Sequence, residues 1–281
     1  MPKTTDENLA ALAVALSDIP CVTGVVLGGS RATNTATASS DVDIGVYYRA
    51  ESLDLPALCE VAKTFDDRHR DGLICAEGGW GRWVNCGGWL TVDGVSVDVI
   101  LRDMNRVADI VAKTDAGEFS AHYQTGHPHA FLDVIYRGEL ACAKVLCHSS
   151  AEFSVLKKRA EVYPDTLRTA LLDFFTFEAD FSCGFAEKYA PAEDAYYVAG
   201  HLFRAVSALN QALFALNRVW CLNEKKAVRR IDGMALHPAD YGSRVNALFA
   251  SMDAPAQAAA LLRELCGETA ALCAEHRDAR P

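Results

Sequence analysis

One stretch constrains this chain more than any other. Val25-Val26-Leu27 is apolar and rich in β-branched residues, and it runs straight into Gly28-Gly29-Ser30-Arg31. Asp41-Val42-Asp43-Ile44 then opens a second alternating apolar run through Tyr48. The first run reads as a strand ending in a turn, the second as another strand. Glycine at such a turn lets the backbone approach a ligand closely, because no Cβ intrudes. Backbone N–H groups and the Ser30 hydroxyl there suit phosphate oxygens, the more so where a helix begins. Asp41 and Asp43 share one face of their strand, since side chains repeat every second residue. Two neighbouring carboxylates repel unless a cation lies between them. Mg²⁺ suits such oxygen ligands, being held by one or two carboxylates together with substrate phosphates. Taken singly, each feature has an ordinary reading: a tight turn, a strand-end carboxylate, an Asp43–Arg31 ion pair. All of them together at this spacing do not.

The rest of the first half continues the mixed pattern. Leu9, Leu12, Val14 and Leu16 mark a short amphipathic helix, and residues 53–65 another. Val22–Leu27, Val42–Tyr48 and Val95–Ile100 read as strands, with Asp93-Gly94 as a hairpin turn before the last. The Gly- and Trp-rich stretch from Gly78 to Leu90 predicts hairpin turns. Strand patterns end after Leu101 and helical periods take over. Leu167, Leu171, Phe174, Phe181 and Phe185 mark one helix face; Leu202, Val206, Leu209, Leu213 and Leu216 mark a second. Pro255 to Cys273 is a third helix, rich in Ala and Leu. With 281 residues, the prior is about two domains. The expected domains are residues 1–148 and 149–281.

The turn and the two aspartates resemble a known family. Gly-Ser followed by Asp-x-Asp on the next strand is similar to the signature of the polymerase-β-like nucleotidyltransferase superfamily. The run from Leu27 to Tyr48 resembles its small bacterial branch, which includes the antibiotic (aminoglycoside and lincosamide) nucleotidyltransferases. The resemblance implies an α+β fold: an N-terminal nucleotidyltransferase domain with a mixed sheet, a C-terminal helical bundle, and an active site in the cleft between them. It implies a third carboxylate on a later strand. Asp98 suits this, since it interrupts the apolar run Val95–Ile100 and a lone charge there costs several kcal/mol unless paired or metal-bound. It further implies that Asp41, Asp43 and Asp98 bind Mg²⁺. Gly29 and Ser30, with Arg31, would hold the outer phosphates of a nucleoside triphosphate, taken to be ATP.

The second half offers further candidates. Lys225 lies in the densest basic stretch, residues 220–230, and matches in kind the lysine that the antibiotic enzymes often supply to the phosphates; a solvated basic face is the alternative. Glu178 sits between Phe174 and Phe181, either as a helix-edge residue or as a cleft acid of raised pKa that takes a proton from the acceptor hydroxyl. Tyr197, His201 and Arg204 form a polar line at helical spacing, read mainly as a solvated face. His127-Pro128-His129 reads as a structural loop rather than a metal cluster. Trp80, Trp83 and Trp89 are expected in a hairpin core, with stacking on a base or sugar as the alternative.

Composition bounds the function. Lys and Arg number 27 against 37 Asp and Glu, a net charge of −10, which argues against a nucleic-acid duplex as partner. No apolar run is long enough for a membrane span, and the N-terminus lacks the apolar core of a signal peptide, so a cytoplasmic protein is expected. The ten cysteines are scattered without a C-x-x-C pair, which favours buried free thiols. The reading is Mg²⁺-dependent transfer of a nucleoside monophosphate, AMP from ATP, to a hydroxyl of a small-molecule acceptor such as an antibiotic. The alternatives are a protein- or RNA-end-modifying transferase of antitoxin type, and a catalytically silent nucleotide-binding regulator. Whether the Ala/Leu-rich tail forms a homodimer is left open.

Overall fold

A computed structural model describes residues 5–33, 37, 40–192 and 194–277. Residues 1–4, and residues 34–36 and 38–39 between the turn and Asp41, lie outside the described residues. Two compact units emerge, one of Met1–Lys113, Phe119–Gly126 and Phe131–Val162, the other of Thr114–Glu118, His127–Ala130 and Tyr163–Pro281.

The first unit begins with helix α1 (Thr5–Ser17), strand β1 (Val22–Leu27), a single helical turn α2 (Gly29–Ala32) and strand β2 (Val42–Tyr48). Helix α3 (Leu55–Phe65) follows, started by Asp54, whose side chain accepts the Ala57 N–H at 3.0 Å. Strands β3 (Cys86–Val92) and β4 (Val95–Asp103) form a hairpin. Asp93 and Gly94 both adopt positive φ, 50° and 75°, as a two-residue hairpin turn requires. Then come α4 (Met104–Asp115), the short pair β5 (Ala121–His122) and β6 (Phe131–Leu132), α5 (Val134–Cys142), β7 (Lys144–His148) and α6 (Ala151–Glu161).

The main sheet has the order β3-β4-β2-β1-β7. It is mixed: β2 and β4 run parallel, and the other neighbours antiparallel. Alternation along each strand divides the core. Val42, Ile44, Val46 and Tyr48 pack with Val97, Val99 and Leu101 against Leu12 and Leu16 of α1 and Leu58 of α3. On the other face Val26 and Tyr47 pack with Val107 of α4, Tyr136 of α5 and Phe153 of α6. Each such side chain contributes about 1.5–3 kcal/mol when fully buried. The second face also carries Asp43.

Two expectations need correction here. Strand structure does not stop at Leu101: β4 runs to Asp103 and β7 closes the far edge against β1. As an edge strand, β7 leaves Lys144, Val145 and Leu146 exposed, so it lacks the alternation that betrays a half-buried strand. In α1, Leu12, Ala13 and Leu16 are buried while Val14 faces outward.

The second unit holds helices α7 (Asp165–Tyr189), α8 (Ala195–Leu216), α9 (Ala227–Ile231), α10 (Tyr241–Ala250) and α11 (Pro255–Glu275). Helices α7, α8 and α11 pack on one another. The α8 face through Leu202, Val206, Leu209, Leu213 and Leu216 is buried, as its spacing predicts. The α7 face is different. Leu167 and Leu171 are buried, but the buried line continues through Phe175, Ala179, Cys183 and Ala186, while Phe174 and Phe181 are exposed. Small residues on that line let neighbouring helices approach closely, so the phenylalanines are left on the flank. Among the described residues no helix is long and apolar enough to cross a membrane.

Candidate active site

Close backbone approach joins the glycine turn to the second strand. The Gly28 N–H donates to the Asp43 carbonyl at 2.8 Å. Gly29 has φ +55°, and a Cβ placed on it would sit 1.7 Å from Asp43 Oδ2. The Asp43 carboxylate therefore lies on the Gly29 backbone, and only glycine leaves room for it. Ser30 follows in α2, which is a single turn of four residues, so the turn itself rather than a helix dipole presents the backbone. Arg31 faces the start of β2: its Nη2 donates to the Ser40 carbonyl at 3.0 Å and its Nε to that of Asp41 at 3.4 Å. It braces the chain that delivers Asp41.

Asp98 reaches the same place through the parallel pairing of β2 and β4, in which Asp43 and Asp98 are direct partners. Directly paired residues lie on the same face of a sheet. The electrostatics follow from this crowding. Burial first, then the charges of Asp98, Asp41 and Glu139, push the Asp43 carboxyl up to about 6, with Arg31 opposing. Burial and the Asp41 charge push Asp98 up as well. Among the described residues no three His, Cys, Asp or Glu converge closely enough to grip an ion as they stand. The donor set nonetheless fits a hard divalent cation. It is made only of carboxylate oxygens on one sheet face, with Asp43 destabilised by the charges of Asp98 and Asp41 and Asp98 by that of Asp41.

The face continues onto β3, where Trp89 is the direct partner of Asp98. The Trp89 ring is 61% exposed, not core, which corrects the expectation for this residue. Trp80 stacks on it with centroids 4.7 Å apart. Trp83 instead stacks on His122 at 3.6 Å. A recess of about 370 Å³ opens beside Trp89, and Asp41, Ser96, Asp98 and Arg70 help to line it. Arg70 is held by the buried Asp66 carboxylate through Nε at 2.9 Å and Nη2 at 2.6 Å, and its Nη2 also donates to the Trp89 carbonyl at 3.1 Å. Neither Asp66 nor Arg70 stands out in the sequence, where Asp66-Asp67-Arg68 reads only as a polar connection.

The remaining candidates belong to the second unit. Glu178 is only 8% exposed and forms an ion pair with Arg204. Its Oε1 also lies 3.9 Å from His129 Nε2. Burial pushes its carboxyl up, but His129 and Arg204 outweigh burial and hold it below the ordinary range. Of the two readings of Glu178, the cleft acid of raised pKa does not fit, because its contacts with His129 and Arg204 hold it low. Arg204 therefore serves Glu178 rather than forming a purely solvated line. His201 stacks on Phe185 at 5.2 Å and meets Tyr197 edge-on at 4.5 Å. The His127-Pro128-His129 loop is structural: the His129 N–H donates to Glu224 Oε1 at 2.7 Å. Lys225 is exposed, and its backbone N–H donates to Asn223 Oδ1 at 2.7 Å.

Comparison with known proteins bears on the first unit. Residues 11–109 match the family described as nucleotidyltransferase domain. The match spans the glycine turn and all three aspartates, and it supports a nucleotidyltransferase enzyme. Enzymes of this kind generally use a nucleoside triphosphate and a divalent metal. No curated protein matches the chain. Among solved structures, a nucleotidyltransferase-like protein from Exiguobacterium sibiricum 255-15 aligns with 97% of this chain and 78% of its own, at 9% identity and a TM-score of 0.46.

Proposed function

We propose that this nucleotidyltransferase moves a nucleoside monophosphate, AMP from ATP, to a hydroxyl of a small-molecule acceptor, in a Mg²⁺-dependent reaction. An antibiotic-like acceptor is the sharpest form of the reading. The observation that carries it is the row formed by the Gly29 turn, Asp43 and Asp98 on one sheet face, with Asp43 pressed on the glycine and paired in register with Asp98.

Asp41, Asp43 and Asp98 would hold Mg²⁺. The metal supplies positive charge that binds the phosphates and stabilises the charge developing on the transferred phosphoryl group. The chain does the rest. The Gly29 backbone and Ser30 hold the β- and γ-phosphates, and Arg31 keeps Asp41 in place. Asp98 accepts the proton of the acceptor hydroxyl, placed for it by its register beside Asp43. The hydroxyl oxygen forms a bond to the α-phosphorus, and the bond from that phosphorus to the bridging oxygen breaks. Pyrophosphate leaves with the electron pair. Lys225, in the helical second unit, is the proposed cation for the phosphates. Glu178, as a base, is disfavoured beside Asp98 by its own ion pair.

Thermal unfolding tests this reading. Wild type and the Asp41→Asn/Asp43→Asn double variant are heated with ATP, GTP, CTP or UTP, with and without Mg²⁺. A nucleotide at 100 times its Kd stabilises by about 2.7 kcal/mol. Stabilisation of wild type by ATP only with Mg²⁺, lost in the double variant, supports the reading. Failure of every nucleotide to stabilise in the presence of Mg²⁺ overturns it.

A further inference from the structure

The catalytic face does not end at Asp98. Across the sheet the direct partners run from Asp43 on β2 to Asp98 on β4 and Trp89 on β3. Neighbouring strands lie roughly 5 Å apart, so Trp89 stands one strand beyond Asp98 and about 10 Å from the strand of Asp43. The glycine turn lies at the other end of this row.

A single exposed tryptophan would mean little, but this one is built in. Its ring is backed by Trp80, stacked at 4.7 Å and 24°. Gly87 makes room for that backing, since a Cβ there would lie 2.5 Å from the Trp80 ring. The Trp89 carbonyl is tied to Arg70, itself fixed by the buried Asp66. The ring is therefore backed on one face, the residue is largely exposed, and Trp89 lines the recess shared with Asp41, Ser96, Thr91 and Asp98. Its volume of about 370 Å³ is at the lower end of small-molecule sites.

We infer that Trp89 is the platform on which the acceptor lays a flat ring face, aromatic or the C–H face of a sugar, with its hydroxyl directed at Asp98. The assignment to acceptor rather than nucleotide follows from in-line displacement, in which the attacking and leaving oxygens lie on opposite sides of the phosphorus. Leaving phosphates held at the Gly29 end place the attacking hydroxyl toward the Trp89 end. The rim of carboxylates and hydroxyls supplies hydrogen-bond partners around the ring, as specific small-molecule sites do. The inference rests on the proposed transfer reaction for its direction, but the platform itself can be tested without turnover.

The probes are phenyl β-D-glucopyranoside and methyl β-D-glucopyranoside, followed by saturation-transfer NMR with wild type, Trp89→Phe and Trp89→Ala. The expected result is transfer to at least one probe in wild type, retained in Trp89→Phe and reduced at least fivefold in Trp89→Ala. Transfer to the phenyl protons identifies an aromatic ring as the preferred face. Equal transfer to the methyl glycoside identifies the sugar face. Equal transfer in wild type and Trp89→Ala, or none to either probe in wild type, overturns the platform. Mg²⁺-ATP stabilisation is measured on the same samples. Its loss in Trp89→Ala while Trp89→Phe keeps it would assign the ring to the nucleobase and overturn the acceptor assignment. Glycoside binding that depends on Trp89, without any Mg²⁺-ATP stabilisation of wild type, would keep the platform and reject the transfer reaction.

Discussion

The Asp43 carboxylate rests directly on the backbone of Gly29, in the space a Cβ would fill. This contact couples the glycine turn to β2, so neither can shift without the other. It also explains the doubled glycine. Gly28 brings its N–H to the Asp43 carbonyl, and Gly29 both takes the positive φ and makes way for the carboxylate.

Gly29→Ala is therefore expected to separate site geometry from folding. The Cβ must displace Asp43, and the left-handed backbone costs about 1–2 kcal/mol for a non-glycine residue. A displacement of about 1 Å at such a site costs on the order of 100-fold in rate. The variant should unfold a few degrees below wild type and lose Mg²⁺-dependent ATP binding. Calorimetric titration beside a thermal scan checks both, and unchanged ATP affinity would show that the turn and Asp43 are independent.

Asp43 also sets a pH dependence. Its pKa is about 6 in the fold against 3.8 for the ordinary group. The folded state thus binds this proton more tightly than the unfolded chain. Without a cation, the stability owed to this group is greatest below pH 4 and falls as pH rises toward 6. Above that, the charged carboxylate costs about 1–2 kcal/mol once solvent screening is allowed for. Asp43→Asn should accordingly raise the melting temperature at pH 7.5 in the absence of divalent metal, and the gain should vanish at pH 4. Melting curves of both proteins across that range decide it. A variant less stable than wild type at pH 7.5 would contradict the crowding.

Much of this face was legible in the sequence, because a two-residue period and a two-residue turn both carry geometry. The period puts Asp41 with Asp43. The Asp93-Gly94 turn pairs Val92 with Val95, and counting outward from it pairs Trp89 with Asp98. That step was available from spacing alone, yet three tryptophans among glycines read more naturally as hairpin core. Two things were beyond reach. The register of β2 on β4 joins segments separated by more than 40 residues, and nothing local encodes it. The partners of Glu178 come from a loop and another helix, so the α7 pattern alone leaves a helix-edge residue and a cleft acid of raised pKa equally open. Edge strand β7 escaped for the opposite reason: its side chains are too exposed to alternate.

The Asp66–Arg70 pair carries a stability prediction that reaches the site. The buried Asp66 carboxylate takes two bonds from Arg70 and accepts the Thr91 N–H at 3.0 Å. The Arg70 hydrogen bonds hold its carboxyl well below the ordinary range. Its contribution is therefore present above about pH 4 and lost as pH falls below it. Asp66→Ala should cost about 3 kcal/mol at pH 7 in a denaturant titration, because a buried N–H and a guanidinium lose their acceptor. The loss should shrink at pH 3. It should also slacken Trp89, whose carbonyl Arg70 holds. A Trp89 emission spectrum unchanged in the folded variant would show that Arg70 does not need Asp66 to brace that strand.

Asp98 and Glu178 compete for one role, and their surroundings argue for opposite outcomes. A general base works best when its pKa lies near the operating pH. Asp98 sits in register with Asp43 on the face of the glycine turn, and without metal, burial and Asp41 move it upward. Glu178 is moved downward, because His129 and Arg204 outweigh its burial. Taking up a proton there would also weaken the ion pair with Arg204. Asp98→Asn is thus expected to lower the rate of pyrophosphate release by about 100-fold or more, the usual contribution of a general base. Glu178→Gln should lower it less than tenfold while costing about 1–2 kcal/mol of stability through the weakened pair. Both rates are read at saturating Mg²⁺-ATP with the acceptor found by screening, beside denaturant titrations of each variant. If Glu178→Gln loses 100-fold in rate with its stability intact, Glu178 is the base. Its pairing with Arg204 would then have to open when the acceptor binds.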